Sequence, residues 1–373
     1  MRNSSIRFND PNKDKTLFFT TLRKAVDDYF KEQKLSKHYD GYMILKTVVL
    51  FAAYFLPFLT ILIFNPPLWL NLVLWMVMGF AMSGIGMSVM HDANHGAYSN
   101  NPKVNQWLGY SINLLGGSVA NWKMQHNLLH HTFTNITYVD DDIADKLIIK
   151  LSPHTEVKWY HKFQFIYAFG FYAIVTLYWA TLKDFFQFRR YIKDGVNKNS
   201  KSENTKIMLS IVFGKILYFA IFIFVPIFVF SIPVMHVLLG FLLMHFLAGV
   251  ILTVIFQLAH TVEGTSHPMP NDNNEIETNW AIHQLNTTVN FATSNKFLTW
   301  YLGGLNFQVE HHLFPNVCHI HYPAISKIVK PICQQFDVPY LENKGFFEAI
   351  GSHIRTLNRF SQVRVPDLNE AIN

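Results

Sequence analysis

The sequence predicts an all-α integral membrane protein of two transmembrane hairpins, four spans in all, under a helical cytosolic cap that holds a histidine-rich dimetal site. Three observations carry this expectation. Half of the 373 residues are hydrophobic and only 15% are charged, whereas a soluble domain carries about a quarter charged residues. Four apolar runs reach the roughly 20 residues a helix needs to cross a hydrocarbon core. Histidine is abundant, at 18 residues, and clusters where apolar runs end.

Residues 1–42 are polar and basic, with no short apolar core before a small-residue cleavage site. They read as a cytosolic N-terminal segment rather than a secretion signal. Residues 43–90 form the first hairpin, Met43–Phe64 and Leu68–Met90 joined by "NPP". Proline does not continue a helix, so this junction is a tight turn.

Residues 91–206 are expected in the cap. There "WLGYSINLLGGSVANW" is too short and too rich in Gly, Asn and Ser to span. The aromatic run at 163–182 is long enough, and charge decides its place. Short loops rich in Lys and Arg stay cytoplasmic. Ten such residues fall between the start and Lys46, and seven more between 183 and 206. A span at 163–182 would separate these two basic stretches, so it is expected to be interfacial or re-entrant.

Residues 207–259 form the second hairpin, Ile207–Phe230 and Val234–Ala259 joined by "SIP". Lys215 in the third run is expected to snorkel toward the nearer interface. Residues 260–373 return to the cap. Both termini and the histidine-rich face are then cytoplasmic, and a pI near 9.1 suits anionic headgroups. Two cysteines, Cys318 and Cys333, make neither a disulfide framework nor a thiolate metal site.

His91 and His95 stand at the mouth of the second span; four apart on a helix, they share a face. His126, His130 and His131 follow in "HNLLHH", His311 and His312 in "QVEHH", and His260 ends the fourth span. Eight histidines on one side of the membrane, from four separate stretches, are poorly explained by chance. Neutral imidazole is the commonest biological metal ligand. Eight exceed the tetrahedral need of one zinc and suit two metals with open positions. Iron, copper, zinc and nickel all accept such nitrogen-rich sites.

The three stretches in order, "HDANH", "HNLLHH" and "QVEHH", resemble the histidine boxes of the membrane fatty acid desaturase family from about residue 45 to 335. The Gln that leads the third box resembles the front-end desaturases, which act between an existing double bond and the carboxyl end. The resemblance implies a di-iron centre, O2 as co-substrate and a double bond formed between adjacent methylenes of a fatty acyl chain. His91, His95, His126, His130, His131, His311 and His312 carry over as ligands, and His260 matches a further histidine at the end of the last span. Gln308 takes the place of one imidazole, and both Gln308 and His283 are candidates to fill that gap, as a ligand or beside one. Asp92, Asp140, Asp141, Asp142 and Glu310 are candidates to hold the ligands' other nitrogens. No catalytic side chain is expected beyond the metal centre.

No HPGG-type haem-binding stretch occurs, so electrons are expected from a separate ferredoxin or cytochrome b5, in a bacterial inner membrane rather than the endoplasmic reticulum. The acyl carrier is left open among CoA, carrier protein and phospholipid, and no nucleic-acid partner is expected. Zinc is expected to replace iron in some purified preparations. A lipid hydroxylase or ketolase on the same scaffold, and a membrane zinc hydrolase, remain alternatives. A metal carrier is disfavoured by the few ionisable groups in the spans. Of the other histidines, His236 and His245 are expected as neutral packing and His319 and His321 as surface residues, while His154 and His161 carry no assigned role.

Overall fold

The computed structural model describes residues 6–10, 17–144 and 148–363. Helix α1 (Phe18–Glu32) precedes the first hairpin, α2 (Gly41–Phe64) and α3 (Leu68–Asn94). Asp40 starts α2 by accepting a hydrogen bond from the Met43 backbone N–H at 2.9 Å, which satisfies a donor that the first turn leaves open. Asn65, in the left-handed conformation, ends it ahead of the two prolines.

Helix α4 (Pro102–Gly109) leads into a 3-10 turn. The next helix, α5, joins Val119–Trp122, a π-helical stretch Lys123–His130 and His131–Phe133. Helices α6 (Trp159–Ala173) and α7 (Val175–Lys193) cover the aromatic run and bend against each other by 50°. The second hairpin is α8 (Lys201–Val229) and α9 (Val234–His260). Ser200 and Glu203 cap α8 reciprocally, side chain to backbone, at 3.2 and 2.8 Å.

Five shorter helices complete the cap: α10 (Trp280–Thr287), α11 (Lys296–Tyr301), α12 (Gln308–Leu313), α13 (Tyr322–Gln335) and α14 (Phe346–Phe360). Two parallel strand pairs pin distant segments, β1 (Arg7–Phe8) with β2 (Glu275–Ile276) and β3 (Asn290–Phe291) with β4 (Glu342–Asn343).

Helices α2, α3, α8 and α9 are the four long and apolar enough to cross a membrane among the described residues. The chain is an all-α membrane protein, and its helices differ from the apolar runs chiefly at their ends. Helix α3 runs on to Asn94 and α8 begins at Lys201, because helix caps, not hydrophobicity, decide where a helix stops.

Without water to drive helices together in lipid, close contact rests on small residues. Gly79 of α3 lies where a Cβ would stand 2.8 Å from the Met244 carbonyl of α9. Gly240 leaves room for the Trp75 ring, and Gly249 meets the backbone of Tyr172 and Ala173. One apolar core, including Trp75, Met78, Met82, Met244 and Leu258, joins the spans to the cap. A second, from α1, α10, α12 and α13, closes the far side of the cap.

Lys215 does not snorkel. It is buried, its ammonium 2.5 Å from the Asp184 carboxylate and donating also to the Gly116 and Trp179 carbonyls. All three of its N–H groups find acceptors inside the protein. His245 is likewise buried, hydrogen-bonded to Tyr218 and Thr176 at 2.9 and 3.1 Å.

Replacing Gly249 with Leu should destabilise the fold by roughly 2 kcal/mol or more, since backbone carbonyls have no rotamer with which to yield. A thermal unfolding midpoint in detergent measures it, and an unchanged midpoint contradicts the packing described.

Candidate metal centre

The eight histidines converge. His91 and His95 come from the end of α3, His126, His130 and His131 from α5, His260 from the last residue of α9, and His311 and His312 from α12. One donor atom each from His91, His95, His126 and His311 lie within 4.8 Å of one another, and so do those of His130, His260 and His312. His131 joins His311 and His312 in a third such group, between the other two. Because the end of α3 and the end of α9 meet here, the cluster sits on one side of the four long helices.

The winding of α5 shapes this division. A π-helix sets residues five apart in register. His126 and His131 therefore face each other, Nε2 to Nε2, at 3.3 Å, while His130 turns toward His260 and His312, ring centroids 5.0 Å or less away. A second π-helical turn, Ile85–Met90, precedes His91 in α3, and His91 Nε2 reaches His126 Nε2 at 3.1 Å.

The other ring nitrogens are held from behind. His130 Nδ1 lies 3.0 Å from Asp140 and 3.3 Å from Asp142. His312 Nδ1 lies 2.8 Å from the Gln284 amide oxygen, His311 Nδ1 3.1 Å from the Tyr322 hydroxyl, and His260 Nδ1 3.2 Å from the Thr287 carbonyl. In each of these four rings the buried Nε2 has no hydrogen-bond partner; neither do His95 Nε2 and His131 Nδ1. An unpaired buried polar atom costs about 1–3 kcal/mol, and six in one place are better explained as metal donors. Anchored Nδ1 atoms with bare, inward Nε2 atoms are what metal-binding histidines show. The donor set fits two ions held by nitrogen.

Electrostatics point the same way. Burial, reinforced by neighbouring imidazoles, holds His126, His131, His311 and His312 well below the usual histidine range, so they are neutral and free to donate a lone pair. Burial also disfavours charge on His130, but Asp140 and Asp142 outweigh it and raise its pKa to about 9.

Other sequence candidates sit nearby outside the three all-histidine groups; Asp142 lies with His126 and His130, and Asp92 with Cys318 and His319, in separate groups of the same spacing. Asp92 accepts from His319 Nδ1 at 2.8 Å, and His319 Nε2 meets the Lys46 ammonium at 2.9 Å. His319 is therefore a buried link, not a surface residue, while His321 is half-buried. Asp141 pairs with Arg190 at 2.5 Å and with Tyr191, away from the cluster. Glu310 accepts from Asn290 and Tyr340 at 2.8 Å each, and burial lifts its carboxyl to about 7. His283 packs against Phe8 and joins none of the groups; its neighbour Gln284 serves the site instead. Gln308 is buried with neither amide atom partnered, and it precedes His311 by three residues on one face of α12.

Reading the sequence alone missed Gln284, Tyr322 and Thr287, which no spacing rule marks. It also missed Trp122, whose ring lies 4.5–5.7 Å from those of His126, His95 and His91 and closes that side of the cluster.

Comparison with known proteins agrees with this geometry. The profile of the fatty acid desaturase family matches residues 67–344. An sn-1 linoleoyl-lipid 6-desaturase of Synechocystis sp. is 37% identical over 91% of this chain and 94% of its own length. One of the same description from Arthrospira platensis is 34% identical over 92% of each. An acyl-lipid (8-3)-desaturase of Physcomitrium patens is 32% identical over 92% of this chain and 71% of that one. The chain that gathers these histidines at one end of its four long helices belongs to the fatty acid desaturase family.

Proposed function

We propose that this chain is an O2-dependent acyl-lipid desaturase of the front-end type, with His91, His95, His126, His130, His131, His260, His311 and His312 ligating two iron ions. The single observation that carries this is the set of buried imidazole nitrogens that are anchored behind and bare in front. The overall change is –CH2–CH2– + O2 + 2 electrons + 2 H+ giving –CH=CH– + 2 H2O. Bound iron supplies O2 activation strong enough to take hydrogen from an unactivated methylene, which no side chain does alone.

The protein's part is placement and exclusion of water. Asp140, Gln284, Tyr322 and Thr287 fix ring orientation and tautomer, and Trp122, with Phe256, whose ring centroid lies 6.1 Å from that of His126, shields the imidazoles with apolar surface. Gln308, buried with both amide atoms unpartnered, would serve the metal centre by direct ligation or by holding a water. The two electrons come from a separate ferredoxin or cytochrome b5. The basic stretches flanking the spans support a cytoplasmic position for both termini and the metal centre, in a bacterial inner membrane. The substrate is the acyl chain of a membrane lipid, as the relatives' names suggest, with the new double bond between an existing one and the carboxyl end.

Expression in a host supplied with labelled linoleoyl lipids should yield an acyl chain with one further alkene toward the carboxyl end, located by mass spectrometry. A hydroxylated product with no alkene overturns the reading. Purified active protein should hold about two iron ions per chain, as dimetal sites do. Alanine in place of His95, His130 or His312 should abolish product while the protein still inserts; activity retained in all three refutes the ligand assignment. Asp140→Asn should lower metal affinity or turnover by roughly 10–100-fold, the range for partners behind a metal ligand, as metal retention during dialysis against a chelator will show.

A further inference from the structure

A cavity of about 220 Å³ opens between α8 and the turn that precedes α5. Ile207, Ser210, Gly214 and Lys215 line it from α8, and Asn113, Ser118 and Val119 from the opposite wall. From this cavity we infer a binding site for the glycerol and ester end of an uncharged glycerolipid, whose acyl chain runs on to the histidine cluster. The inference rests on the desaturase reading above and adds the place and chemistry of the substrate's polar end.

Charge selects the ligand. Lys215 is the one cation that lines the cavity among the described residues, and Asp184 the one carboxylate. They neutralise each other at 2.5 Å, and the remaining ammonium hydrogens go to the Gly116 and Trp179 carbonyls. Asp184 is further engaged by the Asn121 amide at 3.1 Å. A polyphosphate carrier such as CoA would find no free cation here. What remains on offer is the Asn113 amide and the Ser118 and Ser210 hydroxyls, none with a hydrogen-bond partner among the described residues. These groups suit ester carbonyls and glycerol or sugar hydroxyls. The volume holds a glycerol backbone, not a whole lipid. The site lies along α8, beside the turn that precedes α5.

The wall between cavity and metal centre is apolar. Val119 packs with Ile112, Met90 and Trp122, and Trp122 touches His91, His95 and His126.

Gly214 has open space around its missing Cβ, so Gly214→Leu fills the cavity without a clash. Full-length protein in nanodiscs, with electron donor, would be given a dilinoleoyl glycerol glycoside bearing a headgroup diazirine and, separately, linoleoyl-CoA. Irradiation should crosslink the lipid to peptides from 110–120 and 207–215. Gly214→Leu should abolish those crosslinks and cut desaturation of the glycoside roughly tenfold or more, with metal content unchanged. Ser210→Phe serves as the second variant should Gly214→Leu fail to insert. Crosslinks elsewhere, or crosslinks and turnover untouched by either variant, overturn the site. Preferred turnover of linoleoyl-CoA, indifferent to both variants, overturns it equally. Wild-type protein that forms no alkene from either donor sinks the desaturase reading instead, and the crosslink map still decides the cavity.

Discussion

A histidine ring carries two nitrogens, and burying the ring leaves both to be accounted for. Here eight rings converge in a space sheltered from water, and much of the cap is organised around that problem. Behind the rings stand a carboxylate, an amide, a phenol and a backbone carbonyl, delivered by Asp140, Gln284, Tyr322 and Thr287. These come from the loop after α5, from α10, from α13 and from the end of α10. An arrangement half satisfied would be worse than an apolar core, because each unmatched group in a low-dielectric interior carries its full desolvation penalty. Metal ions bound there would supply what the protein withholds on the inner side, and would thereby link metal binding to folding.

The same demand ties membrane to cap. Lys46, on the first span and 1% exposed, meets His319; His319 meets Asp92; Asp92 is the next residue after His91. One chain of polar contacts thus joins α2, the end of α3 and the loop behind the third box. Buried networks of this kind contribute little net stability, yet removing one member is costly. Their value lies in admitting only one arrangement of the parts.

The sequence showed local features well. Span positions and the "NPP" and "SIP" turns depend on neighbours a few residues away and were readable, whereas the capped starts at Asp40 and Ser200 lie ahead of the apolar runs and were not marked. The convergence of the histidines was foreseeable too, from spacing at the ends of apolar runs and from resemblance. What failed depended on partners far along the chain. Lys215 looked like a snorkelling residue because its acceptors, Gly116, Trp179 and Asp184, lie 31–99 residues away. His319 looked superficial because Asp92 precedes it by 227 residues. Among the acidic candidates, only the fold separates Asp140, fully buried behind His130, from Asp141, which turns to Arg190. His283 was one candidate for the place of a missing imidazole, and the adjacent Gln284 is the residue that reaches His312.

The π-helical stretch of α5 was invisible for a different reason: the pattern "HxxxHH" reads equally well on an ordinary helix. In regular winding, at about 100° per residue, His126 and His131 would stand about 140° apart around the axis and could not face each other as they do across 3.3 Å. The pitch of this one segment, as much as its composition, keeps the two imidazoles together.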